Sequence, residues 1–134
     1  MIKLIIGEKG TGKTKILIDA IKEALTRAKG NVICLDKGTK LQYNVNHKTR
    51  LINLEEYNIM GFDSFYGFVA GLLAGDYDIT HIFVDSILKV VGKGDYDALG
   101  EMFDKLNDIA KDIELVFTVS ADKEALPESV LKYV

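Results

Sequence analysis

Gly7, Glu8, Lys9, Gly10, Thr11, Gly12, Lys13 and Thr14 stand at the spacing G-x-x-x-x-G-K-[ST]. Each residue type meets a need of an anion receptor. The glycines allow the backbone to turn its N–H groups inward and to approach a ligand closely. Lys13 brings a point charge for outer phosphates, and the Thr14 hydroxyl can ligate Mg²⁺. An acid, Asp85, ends the apolar run His81-Ile82-Phe83-Val84 and can hold the same Mg²⁺ through a water. Thr118 and Ser120 end another apolar run, and Glu55 and Glu56 follow the run Leu51 to Leu54. The chemistry expected is the cradling of a chain of phosphates with Mg²⁺ as cofactor.

These residues need strand tips and one helix start to hold them. Ile2 to Ile6 reads as a strand that delivers the glycine loop. From Lys13 to Lys29 the apolar positions Ile16, Leu17, Ala20, Ile21, Ala24 and Leu25 keep a helical period, with Gly30 as a left-handed stop. Asn31 to Leu35 is a second strand ending at Asp36. Leu41, Tyr43 and Val45 alternate with polar residues, which predicts a small exposed strand hairpinned onto Arg50 to Leu54. Asp63 or Ser64 is the expected cap of a helix running to about Gly75, whose Gly67, Gly71 and Gly75 form a stripe suited to close packing on the sheet. His81 to Asp85 is a strand, followed by a polar loop over Gly92 to Asp95. Asp97 is the expected cap of the next helix, and Ile113 to Val119 a further strand. Val130 to Val134 reads as a last parallel strand, with a terminal helix as the alternative.

Composition narrows the class. A chain of 134 residues with 48% apolar and 28% charged residues is expected to be one globular domain over 1–134. A net charge of −3 argues against a generally nucleic-acid-binding surface. Lys37, Lys40, His47, Lys48 and Arg50 form a local basic segment, read as a solvated face, with nucleic acid as the alternative partner. Lone Cys34 inside an apolar run suits a reducing compartment, the cytoplasm by default. The residues at the start run straight into a strand, with no signal peptide visible, and the longest near-apolar stretch, Phe65 to Ala74, is too short to span a bilayer.

With its loop between strand and helix, and with the apolar run ending in Asp85, the chain resembles the P-loop NTPase superfamily. The resemblance implies a three-layer α/β/α sandwich with a mainly parallel sheet, a Walker A loop at Gly7 to Thr14 and a Walker B acid at Asp85. In the branch that inserts a strand between these two elements, a polar strand tip senses the outer phosphate, a role that falls on Thr118 or Ser120. The GTPase pattern D-x-x-G is absent after Asp85, and N-K-x-D does not occur, so guanine-type GTPases are disfavoured. With only Arg27 and Arg50, and little length for a lid, a nucleotide kinase is the lesser reading. What remains resembles a minimal ATPase core of the helicase, recombinase and AAA type. Many of these carry a glutamate after the Walker B acid, and here Ser86 stands there; Glu55 or Glu56 is the expected replacement base. A weak or partner-dependent ATPase follows, active as a homo-oligomer or with a protein partner and with Arg50 as the cation offered to a neighbour. The alternative is a nucleotide-dependent switch that does not hydrolyse.

Overall fold

The computed structural model describes residues 1–39, 41 and 44–134. Strands β1 (Ile2–Gly7), β2 (Asn31–Asp36), β3 (Arg50–Asn53), β4 (Ile79–Val84) and β5 (Glu114–Ser120) form one sheet in the order β1-β5-β4-β2-β3. All four strand pairings are parallel. Helix α1 (Lys13–Arg27) packs on one face, while α2 (Phe62–Gly75), α3 (Ile87–Val91), α4 (Tyr96–Ala110) and α5 (Glu128–Leu131) build the other. The result is a three-layer α/β/α sandwich.

Two cores explain why the strands are apolar without alternation. In β2, Ile33 and Leu35 enter the larger core while Val32 and Cys34 enter the smaller one under α1. Consecutive residues of a strand point to opposite faces, so a sheet covered on both sides demands an unbroken apolar run. The larger core is centred on aromatics: the Phe103 and Phe117 rings are 5.0 Å apart and Phe65 lies 6.1 Å from Phe117. Such pairs add about 0.5–1.5 kcal/mol each beyond area burial.

Several expectations are corrected. Arg50 to Leu54 contributes β3, which pairs parallel with β2 through Ile33–Arg50 to Asp36–Asn53, and among the described residues no strand is hairpinned onto it. Lys40, Gln42 and Tyr43 of that segment lie outside the described residues, and Leu41 is buried. Gly30 is not a left-handed stop: α1 ends at Arg27, and Ala28 is extended. Glycine is needed there for space, since a Cβ would fall 2.0 Å from the Asp78 carbonyl oxygen. The cap of α2 is Gly61, with φ 89°, and the cap of α4 is Asp95, whose carboxylate accepts from Ala98 N at 3.1 Å. The α2 glycine stripe packs against nothing, for a Cβ at Gly67, Gly71 or Gly75 would meet no described atom within 4 Å. The C-terminus takes the helical alternative, with Val130 fully buried, and the Tyr133 carbonyl accepts from Leu4 N at 2.9 Å on the edge of β1. Helix α3 stands before the expected polar loop over Gly92 to Asp95, where the sequence pattern predicts no element. Its five residues are too few to show a 3.6 period.

Parallel pairing brings the carboxyl ends of β1, β4 and β5 to one edge. In open α/β sheets this is the edge that holds ligands. Register then decides which side chains meet there: Gly7 pairs with Ser120, and Val84 with Phe117, so Asp85 and Thr118 follow side by side.

Candidate functional site

Gly12 sits at the N-cap of α1 with φ 85°, and no side chain caps the helix. The first-turn N–H groups therefore keep their donor capacity and the helix dipole points its positive end outward. Loop residues before Gly12 are organised around one carbonyl. The Glu8 oxygen accepts from Thr11 N at 3.3 Å, from Thr11 Oγ1 at 2.7 Å and from Lys13 Nζ at 2.8 Å. Lys13 is thus folded back onto its own loop and largely buried. At Gly7 the loop leaves no room for a side chain, because a Cβ would stand 2.6 Å from Thr11 Oγ1.

Asp85 leaves the tip of β4 beneath this loop, 1% exposed. Thr14 Oγ1 lies 3.2 Å from its Oδ2 and 3.5 Å from its Oδ1. Thr118 Oγ1 donates to Asp85 Oδ1 at 2.6 Å and accepts from Ser86 N at 2.6 Å. One hydroxyl therefore fixes both the carboxylate and the peptide after it. Ser86 has φ 57°, a left-handed conformation uncommon for a residue with a side chain. The tether from Thr118 holds it there, and the chain turns at once into α3.

A cleft of about 510 Å³ opens above these residues, in the size range of small-ligand sites. It is lined by Gly10, Gly12, Lys13 and Thr14 from the loop and the start of α1, by Ser120, Ala121 and Asp122 at the end of β5, and by Ser86, Lys89 and Lys93 after β4. Glu8 and Lys9 complete the rim. Two residues expected to share one role are thereby separated. Ser120 lines the cleft, whereas Thr118 is fully buried and touches Asp85 instead.

Other candidates lie elsewhere. Glu55 and Glu56 are exposed on a 3-10 turn after β3, and neither lines the cleft. Glu56 and Arg50 line a separate cavity beside the edge strand. Lys89 and Lys93 were missed by sequence reasoning. Lysines beside a glycine-rich connection look like ordinary solvated residues, and only the backward turn at Ser86 brings them to the loop.

The donors fit Mg²⁺. Adjacent oxygen ligands on an octahedral Mg²⁺ at about 2.1 Å stand roughly 3 Å apart. The Thr14 hydroxyl and Asp85 carboxylate, 3.2 Å apart, have the hard oxygen chemistry and the separation for neighbouring positions. Cys34, behind Asp85, is chemically quiet: burial, with the nearby Asp36 and Asp85 carboxylates, pushes its thiol up to about 12.

No protein-family profile matches the chain, and no curated protein matches its sequence at a significant level.

Proposed function

We propose that the protein is a P-loop nucleotide-binding protein that takes ATP with Mg²⁺. The observation that carries this reading is the approach of Thr14 Oγ1 to Asp85 Oδ2, at 3.2 Å, beneath a helix start that no side chain caps. A phosphate chain laid on Gly10 to Thr14 would receive backbone N–H groups, the helix dipole and the Lys13 ammonium together. Lys13 would exchange the Glu8 carbonyl for a phosphate oxygen. Mg²⁺, when bound, neutralises charge on the outer phosphates, with Thr14 and Asp85 holding it. The placement of β5 between β1 and β4 supports the branch of the superfamily with an inserted strand. Within that reading, Ser120 is the phosphate-facing polar tip and Thr118 a positioning residue for Asp85.

Hydrolysis by the isolated chain is slow in this account. The residue after Asp85 is Ser86, and the two carboxylates on the cleft rim, Glu8 and Asp122, lie away from that position in the chain. The Asp122 carboxylate also accepts from Glu124 N at 3.1 Å. ATP binding therefore acts as a switch or as the first step of a partner-dependent cycle, in a cytoplasmic setting that suits the buried Cys34 thiol. Calorimetry with ATP, ADP and GTP, followed by phosphate release at rising protein concentration, tests the proposal. Binding of ATP with turnover that stays low in a monomeric sample is expected. Absence of binding for every nucleotide refutes it.

A further inference from the structure

We propose that Lys89 and Lys93, supplied by the same chain, form a second cationic wall that binds the terminal phosphate. This rests on the triphosphate reading above. In α3, Ile87, Leu88, Val90 and Val91 are all buried and Lys89 alone is exposed. Burial of its four neighbours fixes which way Lys89 faces. The helix is also pinned through its backbone: the Val90 carbonyl accepts from Gly61 N at 2.9 Å, and the Lys89 carbonyl accepts from Lys37 Nζ at 3.3 Å. Lys93 follows between Gly92 and Gly94, whose φ angles of 97° and 101° carry the chain around a tight corner.

Both lysines line the same cleft as Lys9 and Lys13. Neither ammonium has an ion-pair partner among the described residues. Four lysines face two rim carboxylates, Glu8 and Asp122, around the positive end of α1. Like charges converging on one concavity repel unless an anion lies between them. Their position along the phosphate chain follows from connectivity. The helix begins two residues after Asp85, the residue that with Thr14 marks the Mg²⁺ side of the site, so Lys89 and Lys93 reach the outer phosphate. Arg50, in its separate cavity, is then not required, and the cation arrives without a neighbouring subunit.

Affinities of the full chain for Mg-ATP and Mg-ADP, measured by calorimetry at low salt, test the assignment. Lys89→Ala and Lys93→Ala are each expected to weaken ATP roughly tenfold and ADP by less than about twofold, the scale of one charged hydrogen bond. Lys89→Arg should keep most of the affinity, and Lys22→Ala, which removes an exposed charge on α1, should change neither. Melting curves should coincide, since the contacts that anchor α3 are apolar or main-chain. If the wild type binds ATP and both alanine variants bind it equally well, the inference is overturned while the triphosphate site stands. Equal losses for ATP and ADP overturn the assignment to the terminal phosphate. If the wild type binds no nucleotide, the parent reading has failed and this one with it.

Discussion

Thr118 donates to the Asp85 carboxylate at 2.6 Å, so the buried acid at the tip of β4 is aimed by a hydroxyl from the neighbouring strand. The same hydroxyl accepts from Ser86 N, also at 2.6 Å. Register makes this contact unavoidable: once Val84 lies beside Phe117, the next residues of β4 and β5 face each other.

Replacing Thr118 by Val keeps the shape and removes the hydroxyl. Ser86 N–H and one Asp85 oxygen are then left without this partner, at a cost of about 1–3 kcal/mol in stability for an orphaned buried group. Urea denaturation measures that loss. The Mg²⁺ dependence of ATP binding should weaken as well, because Asp85 loses its orientation. A variant with unchanged stability and unchanged Mg²⁺ dependence would show that Thr118 only fills space.

The loop permits a sharper test of its own packing. Gly7→Ala puts a methyl 2.6 Å from Thr11 Oγ1, so the hydroxyl must leave the Glu8 carbonyl or the loop must shift. Overpacking of this kind costs about 1–3 kcal/mol and should reduce ATP affinity. Adding Thr11→Ala removes the obstructing oxygen, leaving the old Cβ position 3.5 Å away. The double variant should recover most of the affinity that Gly7→Ala loses. Additive losses in the double variant would contradict the steric account.

At the opposite end of the sheet, His81 is buried and its Nε2 stands 3.0 Å from Glu114 Oε2, with Thr80 Oγ1 at 2.8 Å from Nδ1. Burial lowers its pKa below 6.5, outweighing the pull of the Glu114 carboxylate. The neutral ring with hydrogen on Nε2 satisfies both contacts. A base with a lowered folded pKa takes up its proton first in the unfolded chain, so stability falls as the pH drops below about 6.5. Burial opposes ionisation of Glu114, but Lys3, His81 and Arg27 outweigh it and hold that carboxyl below 4.5. Its contribution is lost in a second step as the pH falls below that value. Urea midpoints between pH 7.5 and 5.5 should decline in the wild type and remain flatter in His81→Gln.

Much of this architecture was legible because its signals are long or chemical. The β1 strand, the loop and α1 follow from an apolar run, a spaced glycine pattern and a 15-residue helical period. Asp85 and Ser120 stood out as polar residues ending apolar strands. The parts that were misread depend on tertiary partners. Gly30 answers to the Asp78 carbonyl, 48 residues away in the chain, and the parallel partner of β3 is β2, on the far side of a long connection. Thr118 and Ser120 look equivalent in sequence, two residues apart, yet alternate strand positions send one to Asp85 and the other to the cleft. Lys89 became visible only through the left-handed turn at Ser86.

The central claim is a Mg²⁺-dependent triphosphate site built on Thr14 and Asp85. Calorimetric titration of ATP into the wild type and Asp85→Asn, with and without Mg²⁺, addresses it directly. Asn keeps an oxygen to accept from Thr118 and removes the charge that favours the metal. The account predicts that Mg²⁺ strengthens ATP binding by roughly tenfold or more in the wild type, the scale of charge-assisted contacts, and by less than about twofold in Asp85→Asn. ATP binding that ignores Mg²⁺ in both proteins, or no binding by the wild type at all, would contradict it.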